Sequence, residues 1–216
     1  MGAFRHLWSP EQGYIAKHGN VTARYPRLAG LGSTHKRSPQ ETAHSSMSVK
    51  PNKLLRLVTK INTKAPEIIR PTVLSLAFNS YIRYAGTTGL RIDEWNLERS
   101  VVTLKNRFHV QNHLGTVHAT AMATLAESAT GMVFGLYVPD NTHIPLLKSM
   151  RIQYTARAVG DLTAVATVFD KAEELAATER GSVIVPVKVT DAEGKEPIQC
   201  EMEWAWTTKK KKKLKS

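Results

Sequence analysis

From Asn52 onward the apolar positions recur with helical spacing: Leu54, Leu55, Leu57, Val58 and Ile61 share one face, with Lys53, Arg56, Lys60 and Lys64 largely around it. This predicts an amphipathic helix. Pro66 and Pro71 interrupt the chain before a second apolar segment, PTVLSLAFNSYI at 71–82, and AGTTGL at 85–90 closes the helical pair. Both helices are expected to pack on a later core; lying on a membrane surface is the alternative for a basic amphipathic helix. After Gly89 the period becomes two. Val102, Leu104, Phe108 and Val110 alternate with Val101, Thr103, Lys105, Arg107 and His109, which predicts a strand with one wetter face, ended by Asn112 and His113. Four further strands are expected at 146–158, 162–170, 182–190 and 197–207, with DAEGKE (191–196) as a hairpin turn joining the last two. In the final strand Ile198, Cys200, Met202, Trp204 and Trp206 point one way, while Gln199, Glu201, Glu203 and Thr207 point the other.

That apolar face needs a cover, and residues 117–136 supply one: small or apolar nearly all round, they have the composition of a buried helix. The expected architecture is α+β, an antiparallel sheet of about five strands wrapped around a central helix, with an N-terminal helical extension. A chain of 216 residues fits one such domain with extensions. The divisions are a basic leader at 1–48, helices at 50–92, the sheet-and-helix domain at 93–208 and a lysine-rich tail at 209–216.

Charge sharpens this division. Residues 1–70 hold twelve Lys and Arg against three Asp and Glu, the tail adds six lysines, and the stretch between carries twelve against fifteen. A groove for nucleic acid would place its cations on the folded domain, so a nucleic-acid partner is not expected. The basic ends leave room for a weak contact with an acidic membrane surface. The leader, acid-poor and bearing Ser and Arg, reads as disordered, either a transit peptide or a segment upstream of a start at Met47. Cys200 is the single cysteine, which rules out an internal disulfide and a Cys-based zinc site and suits a reducing intracellular compartment, cytoplasmic or mitochondrial. No apolar run approaches the ~20 residues of a membrane-spanning helix.

Within NHLGTVHATAMATLAESATG (112–131) one glutamate stands alone: from Arg107 to Asp140 no other Lys, Arg, Asp or Glu occurs. Helical spacing puts Glu127 on a narrow polar stripe with Thr120, Thr124, Thr130 and Gly131. A solvated face would carry other long charged side chains. Their absence argues for a carboxylate at a cleft, where ionisable groups in apolar surroundings are functional candidates. Upstream, Gly115 allows a turn and Thr116 is expected to cap a helix starting at Val117, leaving backbone N–H groups near His118, Ala119 and Thr120 to favour developing negative charge. No second metal-type ligand recurs beside His118, and no phosphate loop or GxSxG elbow is present, so no metal or cofactor is expected.

The order strand, Asn112-His113-x-Gly115-x-x-His118-Ala119, small-residue helix with Leu125-Ala126-Glu127, then four antiparallel strands resembles the hotdog-fold thioesterase superfamily over roughly residues 65–207. Asn112, His118-Ala119-Thr120 and Glu127 occupy the spacings of its phenylacetyl-CoA thioesterase-like branch, and NHL-x-x-VHA resembles a further group of hotdog domains. The resemblance implies an acyl-CoA thioesterase with Glu127 as general base or nucleophile, Asn112 orienting water, the Ala119 N–H binding the oxyanion beside His118, and coenzyme A present only as part of the substrate. It places His113, Gly115, Thr120 and Thr124 near the substrate, with Met122, Met132 and Phe134 lining an acyl tunnel against the sheet. It also implies a homodimer or a dimer of dimers, with both chains contributing to each site. The family's Gly-Gly is Ala119-Thr120 here, and its assisting Ser or Thr falls near Leu147. These departures keep open a non-catalytic acyl-CoA- or lipid-binding protein, and the fourteen-residue spacing of His113 and Glu127 keeps open a hydroxyacyl-CoA dehydratase.

Overall fold

The computed structural model describes residues 51–170, 172 and 175–209. The leader at 1–48 and the tail from Lys210 lie outside the described residues. The described residues fall within one compact unit. Three helices come first, α1 (Lys53–Lys64), α2 (Arg70–Tyr81) and α3 (Arg83–Thr88). Strands β1 (Arg91–Trp95) and β2 (Arg99–Leu104) follow, then the central helix α4 (Ala119–Tyr137). After it come β3 (His143–Tyr154), β4 (Leu162–Thr167), β5 (Arg180–Val185), β6 (Val187–Asp191) and β7 (Ile198–Thr208).

The strands form two antiparallel sheets, β1-β2-β4-β6 and β3-β7-β5. Only Pro186 separates β5 from β6; β5 pairs with β7 while β6 pairs with β4, so one bent strand joins both sheets into a curved wrapper. A proline cannot donate to a ladder, and the switch between sheets falls where it interrupts the pairing. The turn at 191–196 forms, with Gly194 at φ 77° and the Asp191 carboxylate accepting from the N–H of Val159, Glu193 and Lys195. It is not a hairpin between paired strands, as expected, because β7 pairs with β3 and β5 instead. Burial alone would raise the Asp191 carboxyl, but those backbone donors hold it below its ordinary value.

Two further expectations change. β1 was not expected; Ile92 and Trp95 are buried, and the pairing with β2 is irregular between Ile92 and Glu94. The expected strand stops at Leu104: residues Phe108–Val110 form a 3₁₀ turn, and Phe108 is 92% exposed.

The wrapper closes on α4, where Leu125, Ala129, Val133, Phe134 and Leu136 are fully buried. Phe134 stacks on Trp204 of β7 at 5.5 Å between centroids and tilts against Phe169 at 5.6 Å. On its other flank α4 meets the N-terminal helices. Asn52 serves two helices: its Oδ1 accepts from the Leu55 N–H at the start of α1, and its Nδ2 donates to the carbonyls of Gly135, Leu136 and Val138 at the end of α4. α2 is tied to β1 by Ser75, whose Oγ accepts from the Ile92 N–H, and by Asn79, which donates to the Leu90 carbonyl. Phe78 meets Trp95 edge to face, and the Trp95 indole donates to the Met132 carbonyl. The helical pair therefore packs on the core, as its spacing predicts. No helix among the described residues is long and apolar enough to cross a membrane.

Candidate active site

α4 begins two residues later than a Thr116 cap would give. His118 is the N-cap, in extended conformation, and its Nδ1 accepts from the Thr120 N–H at 3.2 Å while meeting Thr120 Oγ at 2.8 Å. Thr116 is instead part of the preceding turn. Asn112 builds that turn: its Oδ1 accepts from the N–H of Leu114 and Thr116, and its Nδ2 donates to Thr116 Oγ. Gly115 sits at φ 72°, a left-handed conformation that glycine adopts without strain. A bridge between Gln111 and Val117 closes the loop. The Ala119 N–H, first in the helix, has no partner among the described residues, while its carbonyl accepts from the Tyr154 hydroxyl.

Glu127 lies two turns further on, half-buried, and no hydrogen bond or ion pair satisfies its carboxylate among the described residues. Burial raises its pKa above the ordinary 4.5. Of its neighbours on the expected polar stripe, only Thr120 is exposed. Thr124 and Thr130 are buried and return their hydroxyls to the helix, to the Thr120 and Ala126 carbonyls, and Thr130 also accepts the Trp204 indole N–H at 2.9 Å. The less buried row on α4 is Ala119, Ala123, Glu127, Gly131 and Gly135, each four residues from the next.

Glu127 lines a mostly apolar cavity of about 550 Å³ bounded by α1, α2, α4 and the start of β3. Such a volume lies within the range of small-molecule sites. Met132 lines it, but Met122 and Phe134 do not; both are core side chains, and the space lies between α4, the N-terminal helices and the ends of β3 and β7. That corrects the expected tunnel. His118 and Thr120 border a separate cavity of about 450 Å³ with Tyr84, Thr88 and His109. His113 is exposed on the turn and borders neither. Within one chain, then, Glu127 and the helix start are not brought together: eight residues of helix separate Ala119 from Glu127, about 12 Å along the axis.

Other nucleophiles fit less well. Cys200 is the single thiol, and burial pushes it up to about 11, which leaves it protonated at neutral pH. Among the described residues no cluster of three His, Cys, Asp or Glu is placed to hold a metal.

A curved antiparallel sheet around one central helix is the hotdog fold. The chain belongs to the family described as Domain of unknown function (DUF4442), whose profile matches residues 70–206. No curated protein matches it. Among solved structures it resembles a Pseudomonas aeruginosa protein, PA5026, described as a probable thioesterase, at TM-score 0.57 and 20% identity over 64% of this chain and 97% of that one. A structural-genomics target, APC5556, is similar at TM-score 0.57 and 24% identity over 72% and 99%. A mutant of the thioesterase PA1618 of Pseudomonas aeruginosa is similar at TM-score 0.54 and 16% identity over 62% and 94%. At these identities the likeness establishes the fold.

Proposed function

We propose that the protein hydrolyses acyl-CoA thioesters, with Glu127 as general base. The observation that carries this reading is an unpaired, half-buried carboxylate of raised pKa on the wall of an apolar cavity. A carboxylate moved toward neutral pH is better matched to taking a proton from water. The water so activated attacks the thioester carbonyl; the tetrahedral oxyanion collapses, the C–S bond breaks, and the coenzyme A thiolate leaves and takes up the proton.

The oxyanion needs donors about 3 Å away, which the Ala119 N–H of the same chain does not supply. A second copy would supply its own Ala119 N–H, held at a helix start by His118. Two features support such pairing. β3 is twelve residues long and lies at the edge of its sheet, and Leu146 and Met150 on it are about half exposed. Asn112 would then shape the turn that aims this amide, while Thr124, Met122 and Phe134 serve as core.

The test is turnover of an acyl-CoA panel by the full chain, with molecular mass measured in parallel. Thioester hydrolysis by a dimer supports the reading; no hydrolysis of any chain length rejects it and leaves a binding protein. Within one chain His113 does not reach the Glu127 cavity, so the dehydratase alternative, like the oxyanion donor, would draw on a second copy.

A further inference from the structure

Twelve residues, from Glu127 to Tyr137 of α4 and its C-cap Val138, run along the cavity, about 16 Å of helix. Its walls are Leu54 from α1, Phe78 and Tyr81 from α2, and Trp204 from β7. Two glycines let the walls close onto the helix. A Cβ at Gly131 would fall 2.7 Å from the Trp204 ring, and one at Gly135 would fall 3.2 Å from Leu54. The result is a space that begins at a carboxylate and continues along the helix between mostly apolar walls, with the paired polar groups of Asn52, Asp140, His143 and Lys209 at its far end.

One polar group inside has nothing to do. Ser128, next to Glu127 and lining the same cavity, is 3% exposed, and its hydroxyl has no partner among the described residues. Thr124 and Thr130 on the same helix return their hydroxyls to backbone carbonyls, the usual fate of such groups when buried. Ser128 does not, so the cavity has an unpartnered buried hydroxyl at its Glu127 end, whereas Asn52, His143 and Lys209, which line its other end, already hydrogen-bond to backbone carbonyls.

We infer that this cavity holds the acyl chain of an unbranched thioester of about twelve carbons. Its carbonyl end lies at Glu127 and Ser128, and its methyl end lies toward Val138 beneath α1 and α2. The inference rests on the thioesterase reading for the thioester and on the cavity alone for the chain. The length follows from the helix: an extended chain advances about 1.25 Å per carbon, from bonds of ~1.5 Å near the tetrahedral angle. The Ser128 hydroxyl donates to the carbonyl oxygen, the sole acceptor near that end of an otherwise apolar guest. The N-terminal helices, which contribute Leu54, Phe78 and Tyr81, thereby set the acyl length.

Binding is tested separately from turnover, with methyl ketones of four to sixteen carbons displacing Nile red from the full chain, and n-alkanes of equal length as controls. Affinity should rise to a maximum near twelve carbons. At that length the ketone should bind about three- to tenfold better than the alkane, the worth of one hydrogen bond. Ser128→Ala should erase the ketone's advantage without lowering Tm. Gly135→Val should weaken the twelve-carbon ketone at least about tenfold, with the six-carbon ketone held within about twofold. If that variant does not fold, Leu54→Ala, which lengthens the space, should move the maximum to longer chains. Affinity indifferent to length, a maximum unmoved by either wall variant, or a ketone advantage that survives Ser128→Ala would overturn the inference. Length-dependent binding without hydrolysis would sink the thioesterase reading alone; hydrolysis without length dependence would sink the cavity assignment alone.

Discussion

The two sides of α4 are built from the same alphabet of small and apolar residues and serve opposite ends. Toward the sheet, Leu125, Val133, Phe134 and Leu136 are fully buried, and large side chains fill the space to Trp204 and Phe169. Along the row Ala123, Glu127, Gly131 and Gly135 the helix presents almost no side-chain volume except one carboxylate, and about 550 Å³ is left beside it. Residue size at four-residue spacing thus decides whether a stretch of helix becomes core or site. Burial cost falls where it is useful: the carboxylate on the sparse side has no counter-charge, and desolvation raises its pKa.

The contrast can be broken from the packed side first. Phe134→Ala removes a stacked ring that has no exposure, and a loss of about 3–5 kcal/mol in unfolding free energy is expected from denaturant titration. A comparable effect on turnover, with little on stability, is expected at the helix start. Ala119→Pro deletes the free N–H at the first helical position, where proline is tolerated, and His118 before it is already extended. Turnover should fall about 10²- to 10³-fold with helix content unchanged by circular dichroism. Mixing that variant with Glu127→Gln should restore activity above either alone if each site draws on two chains.

Gly131→Ala sets a methyl against the Trp204 ring, and about 1–3 kcal/mol of destabilisation is expected, read as a lower Tm. The smallest expected effect has the opposite sign. Because the folded pKa of Glu127 is raised, its stabilising contribution is complete below the unfolded value and is lost as pH rises through the folded one. Glu127→Gln should therefore match or slightly exceed the wild type in Tm at neutral pH, with the difference vanishing below about pH 4, near the ordinary glutamate value.

Much of this was legible in the chain. The spacing of Leu55 and Val58 predicts α1, the alternation from Ile198 to Trp206 predicts β7, and the isolation of Glu127 singles out the half-buried carboxylate that lines the cavity. What stayed hidden has physical causes. β1 was missed because its five residues are too few to establish a period and an irregularity between Ile92 and Glu94 breaks the alternation. Phe108 looked like strand core because its position fits the period, yet the chain turns there and leaves it exposed. Contrary to expectation, Met122 and Phe134 do not line the cavity beside Glu127, because a helix apolar all round carries no sign of which face meets sheet and which meets the N-terminal helices. That depends on what packs against Gly131 and Gly135, and a glycine announces space without saying whose.

Hydrolysis of dodecanoyl-CoA by the wild type and by Glu127→Gln, followed from acid to neutral pH, tests the central claim most directly. Turnover should rise with pH through a pKa above the ordinary glutamate value, and the variant should lose about 10²- to 10⁴-fold while staying folded. A wild type inactive on every acyl-CoA, or a variant as fast as the wild type across that range, would contradict it.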